Sequence, residues 1–196
     1  MLQSDEAEWA RARAADDRAF GDLFQRHHLR VFRHALRLVL LPADADEVMA
    51  SAFLELWRRR KDVRLVDGSV LPWLLVTATQ LSRNRVRGMA RYQRVLSKLP
   101  REEPGDAADE ATESLERLEL RRQISAALRQ VSAIDAALMT LTVLDGLSTA
   151  EAAAAVGLAP GAARMRLSRV RGRLRSLLDD TREPTTQHRL VKGPAS

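Results

Sequence analysis

Cysteine is absent from the 196-residue chain. Its absence excludes a disulfide scaffold, a thiolate zinc site, a cysteine nucleophile and direct thiol sensing. Long apolar runs are also missing. Leu38 to Leu41, closed by Pro42, falls far short of the ~20 residues a membrane helix needs. The start, MLQSDEAEWARARAADD, has no apolar segment of the kind a signal peptide carries. A soluble, cytoplasmic protein without membrane insertion is therefore expected. Aromatic side chains supply only 4% of the chain, yet 45% of it is apolar, enough for a packed core. There is no glycine-rich phosphate loop, catalytic carboxylate pair or metal-ligand spacing, so neither an enzyme nor a cofactor is expected.

What is present is positive charge, almost all of it arginine. The net charge is +6, the isoelectric point is near 10.8, and Arg supplies 29 of the 32 basic residues. A guanidinium offers a planar fork suited to phosphates and guanine edges, which a lysine does not. Alanine is abundant too, and a base-compositional bias of the source genome is the plainer reading of part of this excess. The placement of the arginines carries more information than their number.

Helical periodicity dominates, and the fold class expected is all-α, with two small helical domains joined by a flexible acidic linker. From Asp17 to Leu41 apolar residues recur at helical spacing, and Pro42 is read as the stop. Asp44 followed by Glu47 reads as a helix cap and its partner. Behind them Val48, Met49, Ala52, Phe53, Leu56 and Trp57 form an apolar stripe, ended by Arg58 to Lys61 where the helix dipole favours cations. Asp67-Gly68 marks a turn, and Pro72 fits the first position of another helix. From Arg83 to Arg101 there are seven basic residues and no acidic one. Arg83, Arg87, Arg91 and Arg94 fall on one narrow stripe of that helix. From Glu102 to Glu119 the sign reverses, with eight acidic residues against one Arg. The divisions expected are a helical domain over 1–98, a linker over 99–119, a second helical domain over 120–178 and a mobile tail over 179–196.

The sharpest motif lies in the second half. Ser148 with Glu151 is a capping box, Gly157 ends the helix two turns later, and Pro160 opens the next. That is a helix-turn-helix. The second helix carries apolar residues at Ala163, Leu167, Val170, Leu174 and Leu177. Arg164, Arg171 and Arg175 flank this stripe on one side, and Arg166, Arg169 and Arg173 on the other. Opposite the stripe lie Gly161, Met165, Ser168 and Gly172. A narrow ridge of small or unbranched residues between guanidiniums suits a helix lying in a DNA major groove. An amphipathic surface helix with arginine stems over the core rim is the plainer reading, and the cap, turn and proline together weigh against it.

These residues resemble the extracytoplasmic-function (ECF) sigma factors of the sigma-70 family, from about Ala19 to Leu178. The motifs are Phe53-Leu54-Glu55-Leu56-Trp57, Pro72-Trp73-Leu74 through Arg83-Asn84-Arg85-Val86-Arg87, Gly146-Leu147-Ser148, and Ala163 through Arg171. The resemblance implies a promoter-specificity subunit without catalysis of its own. Region two would dock on core RNA polymerase through Glu47, Phe53, Leu54 and Trp57, and hold the minus-ten element through Arg83, Asn84, Arg87 and Arg91. Region four would meet the minus-thirty-five element through Arg164, Arg166, Ser168, Arg169 and Arg171. Partners would be core RNA polymerase, promoter DNA and an anti-sigma factor covering the same surfaces. The chain departs from the family pattern at Ala50-Ser51, Gln80, Ala152 to Ala155 and Ala159.

Other residues read more plainly. His27-His28 point about 100° apart on a helix and are expected at the surface rather than on a metal. Ser148 is a cap, since nothing beside it would activate a nucleophile. Trp57 reads as core, Trp73 equally as core or as a base-stacking residue, and Arg58 to Lys61 as a solvated helix end. The rival function is an autonomous dimeric helix-turn-helix regulator, which would protect a palindrome without polymerase. An enzyme with an appended DNA-binding tail has no acid, base or nucleophile to support it.

Overall fold

A computed structural model describes residues 4–96 and 115–182, with side chains over 4–92 and 118–176. The described residues form eight α-helices and one π-helical turn, with no strand among them. They are α1 (Glu6–Arg13), α2 (Asp17–Leu36), α3 (Pro42–Arg58), α4 (Leu71–Leu96), α5 (Leu115–Arg129), α6 (Ala133–Met139), the π turn (Thr140–Leu144), α7 (Thr149–Ala155) and α8 (Pro160–Arg182). Most of the expected linker and tail, and the side chain of Arg94, lie outside the described residues.

Helices α1 to α4 pack as one bundle around Leu23, Val31, Val48, Leu56, Leu74 and Leu75, all of them buried. Asp16 caps α2 by accepting from the Ala19 amide at 3.0 Å. The α2 helix ends at Leu36 rather than Leu41, and Pro42 opens α3 instead of stopping α2. A proline has no amide to lose in a first helical turn, so it marks a start as well as a stop. Asp44 is likewise not a cap. It lies inside the first turn of α3, where its carboxylate meets Arg85 at 2.6 Å. Asp67 and Gly68 sit at φ of 48° and 73° in a tight antiparallel turn, which brings Ser69 and Val70 up to the start of α4.

His27 departs from the expectation of two surface histidines. It is buried, with Nε2 2.9 Å from the carboxylate of Asp5, itself fully buried. Asp5 also accepts from Arg26 at 2.7 Å, Ser69 Oγ at 2.7 Å and the Val70 amide at 2.9 Å. Burial alone would raise the Asp5 pKa. The hydrogen bonds from His27, Ser69, Arg26 and Val70 outweigh it and hold the carboxyl well below the ordinary range. This cluster ties the chain ahead of α1 to α2 and to the loop before α4. His28 stays partly exposed, stacked on Phe24, with Nδ1 donating to the Phe24 carbonyl at 3.1 Å.

In the second half, Ser132 caps α6 and the full capping box of Ser148 and Glu151 opens α7. The Ser148 amide donates to Glu151 at 2.7 Å and the Glu151 amide to Ser148 at 3.1 Å. Those bonds lower the Glu151 pKa. Gly157, at φ of 72°, takes the left-handed turn, and the Leu158 amide returns to the Ala153 carbonyl at 2.8 Å. Replacing Ser148 with alanine should cost about 1 kcal/mol, measured as a lower midpoint in denaturant unfolding.

The two halves pack against each other. Leu138, Leu141, Leu147, Ala152, Ala153, Ala163 and Leu167 share one apolar cluster with the α1–α4 bundle, and Leu38 reaches into a second cluster with Leu128 and Val170.

Candidate nucleic-acid and polymerase interfaces

The α8 helix is placed by its buried stripe. Ala163, Leu167, Val170 and Leu174 are all buried, so the opposite face must look outward. On that face Arg164, Ser168, Arg169 and Arg171 are exposed, and Met165 is 61% exposed. A Cβ added at Gly161 or Gly172 would meet nothing within 4 Å. The ridge read from the sequence is therefore open. Arg166 is more restrained, because it donates to Asp135 on α6 at 2.8 Å. Burial would raise the Asp135 pKa, but the bonds from Ser132 and Arg166 lower it. One flank of the ridge is thus partly neutralised and held in place.

On α4 the expected stripe divides. Asn84, Arg87 and Arg91 are exposed along one line, joined by Tyr92 at 61% exposure. Arg83 is not on that surface. It is 5% exposed and donates to the carbonyls of Leu128 at 2.6 Å, Val131 at 2.8 Å and Ser132 at 3.1 Å. The carbonyls of Leu128 and Val131 lie at the C-terminal end of α5, and that of Ser132, which also accepts from the Ala136 amide, lies beside them; one guanidinium meets all three. Desolvation, with Arg87 nearby, lowers the Arg83 pKa. Sequence reasoning missed the role of Arg85, which bridges to Asp44 and Glu47 on α3.

On α3 the four expected partner-binding residues take different roles. Glu47 and Leu54 are exposed, Leu54 by 48%, and with Ser51 and Arg58 they share one outward face. Phe53 is 3% exposed and sits edge-on to Phe24 at 4.8 Å and to Phe20 at 6.3 Å, beneath this face. Trp57 is half-buried against Phe20 at 5.0 Å, with the Arg60 guanidinium 4.2 Å over its ring. Arg58 and Arg59 pair with Glu55. Trp73 is partly buried, beside the 62–67 loop and the Ala154–Gly157 turn.

Family comparison agrees with both halves. The Sigma-70 region 2 family model matches residues 23–92, and the Sigma-70 region 4 model matches residues 121–174. The RNA polymerase sigma factor CarQ of Myxococcus xanthus is 32% identical over 163 residues, covering 83% of this chain and 90% of that protein. The chain belongs to the ECF sigma factors. The ECF RNA polymerase sigma factor SigM of Mycobacterium tuberculosis is 29% identical over 174 residues, 88% of this chain and 84% of that one. The solved structure of CnrH in complex with the cytosolic domain of CnrY aligns at a TM-score of 0.60 and 26% identity, covering 91% of this chain and 99% of that one. This sigma factor is thus an RNA polymerase subunit acting in promoter recognition, from a family of initiation factors rather than catalysts. No helix among the described residues is long and apolar enough to cross a membrane.

Proposed function

We propose that this sigma factor divides promoter recognition between three surfaces. The outward face of α3, with Glu47 and Leu54 exposed and Phe53 and Trp57 supporting them, docks on core RNA polymerase. The Asn84, Arg87 and Arg91 line of α4 holds the single strand of the minus-ten element, with Arg83 joining it once freed from α5–α6. The α8 ridge enters the major groove of the minus-thirty-five element through Arg164, Ser168, Arg169 and Arg171, with Arg166 braced by Asp135. Region two would occupy 1–98, region four 120–178, and 99–119 the connection between them, with 179–196 as a tail. The protein works in the cytoplasm, carries out no chemistry itself, and is restrained by an anti-sigma protein covering the same surfaces; the similar CnrH is solved in complex with the cytosolic domain of CnrY.

The observation that carries this reading is the open guanidinium-flanked face of α8, positioned by a capped helix-turn-helix. Holoenzyme carrying Arg164→Ala or Arg169→Ala should occupy the upstream element about tenfold more weakly, the loss of one good base or phosphate contact. Arg166→Ala should have a smaller effect. Footprinting at several salt concentrations measures both, and a loss of core binding by any of these folded variants would remove α8 from the DNA.

A further inference from the structure

The two flanks of the α8 ridge are not alike. Arg164 and Arg171 stand exposed on one side, with no ion pair to another described residue. On the other side Arg166, Arg169 and Arg173 line a small cleft of about 140 Å3 together with Val131, Asp135 and Val170. Asp135 is the one acid in that lining, and its two oxygens have separate partners. Oδ2 accepts from Ser132 Oγ at 2.7 Å, while the Asp135 amide donates to the same hydroxyl at 3.1 Å, so the carboxylate is fixed to the first turn of α6. Oδ1 accepts from Arg166 Nη1 at 2.8 Å. Burial opposes ionisation of Asp135, but the bonds from Ser132 and Arg166 and the nearby charge of Arg169 keep it a carboxylate.

The helix is already placed by its buried apolar stripe, and a partly solvated ion pair adds little stability. What the pair changes is the freedom of Arg166. An unrestrained arginine at the rim of a groove is drawn to the nearest phosphate, a contact that carries no sequence information. With Nη1 on Asp135, the Arg166 side chain gives up rotamer freedom before DNA arrives, and its remaining N–H donors are offered in one orientation. The neighbouring carboxylate also repels a phosphate that would compete for the same fork. Arg166 lies in the second turn of α8, towards the end of a recognition helix that meets base edges.

We infer that Asp135 is a positioning residue for sequence readout: it holds Arg166 off the DNA backbone and aims its fork at a guanine edge of the upstream element. Specificity at that base pair is thereby set from α6, outside the helix-turn-helix itself. This role rests on the proposed placement of α8 in the major groove. Arg166→Ala accordingly costs less occupancy than Arg164→Ala, and its loss is read in discrimination between sequences instead.

The test is selection of upstream-element sequences from a randomised promoter library by holoenzyme carrying the full chain. Wild type is compared with Asp135→Asn, Arg166→Ala and the double variant, with Arg164→Ala as reference. Asparagine keeps the size of the side chain and a bond to Ser132 but removes the charge. Asp135→Asn should relax the preference for a G·C pair about tenfold at one position, the same position that Arg166→Ala relaxes. The double variant should relax it no further, because Asp135 acts through Arg166. Freed to reach a phosphate, Arg166 should also steepen the salt dependence of binding by about one unit of slope. Arg166→Lys separates aim from charge: it keeps a cation beside Asp135 and should lose the same preference. Unchanged selection by Asp135→Asn, even relaxation across all positions, or wild-type selection by Arg166→Lys overturns the positioning role. If Arg164→Ala and Arg166→Ala also leave the selected sequence unchanged, α8 does not read DNA and the reading beneath this role falls with it.

Discussion

Replacing Phe53 with alanine is expected to destabilise the protein by about 3–5 kcal/mol, whereas Leu54→Ala should change stability by no more than about 0.5 kcal/mol. The two residues are neighbours in the motif that resembles the polymerase-docking segment, but α3 turns them in different directions. Phe53 is buried in edge-on contact with Phe20 and Phe24, so truncation leaves a cavity among rings with little freedom to close it. Leu54 is 48% exposed and loses little when shortened. Their effects on core polymerase should reverse in origin. Leu54→Ala should weaken the complex about tenfold from a fully folded chain, as truncation of an apolar anchor does. Phe53→Ala should weaken it through loss of folded protein. Urea unfolding followed by titration of core polymerase separates the two, and a folded, stable Phe53→Ala variant with defective binding would place that ring at the interface itself.

The second large effect belongs to Asp5. Its fully buried carboxylate gathers His27, Arg26, Ser69 and the Val70 amide. Asp5→Ala leaves the hydroxyl and amide unpaired in the interior, a loss of about 3 kcal/mol. The pH dependence follows from the direction of its pKa. A carboxyl held below its unfolded value of about 3.9 contributes stability that is fully present above that pH and is lost as pH falls towards the folded pKa. The stability difference between wild type and Asp5→Ala should therefore be flat from neutrality to about pH 5 and narrow below about pH 4. Denaturant unfolding of both proteins across that range measures it. A difference that instead widened in acid would show that the carboxylate is not the charged centre of the cluster.

The local features of this molecule were legible because they are written at short range. The capping box at Ser148, the glycine turn at Gly157 and the apolar stripe of α8 each depend on spacings of three or four residues, and each stands where the spacing places it. What the sequence did not disclose depends on partners far along the chain. Arg83 belongs by helical phase to the same stripe as Arg87 and Arg91, and nothing nearby indicates that the α5–α6 corner will cover it. His27 differs from His28 only by the 100° between successive helical residues, and its partner Asp5 belongs to no motif. Asp44 resembles a cap until Arg85, on the next helix of the bundle, takes its carboxylate. Pro42 is ambiguous for another reason, because the same missing amide suits the end of one helix and the start of the next. Trp73, read equally as core or as a base-stacking residue, sits partly buried between a loop of region two and the turn of region four, where packing between the two regions decides its exposure.

The most direct test of this account is to mix the purified chain with core RNA polymerase lacking other sigma factors and sequence the run-off transcripts from a promoter library. A stable complex is expected, with start sites that share two elements separated by a fixed spacing. Arg164→Ala should select against the upstream element alone. A folded chain that forms no complex, or that protects a palindromic site as a dimer without polymerase, would contradict it.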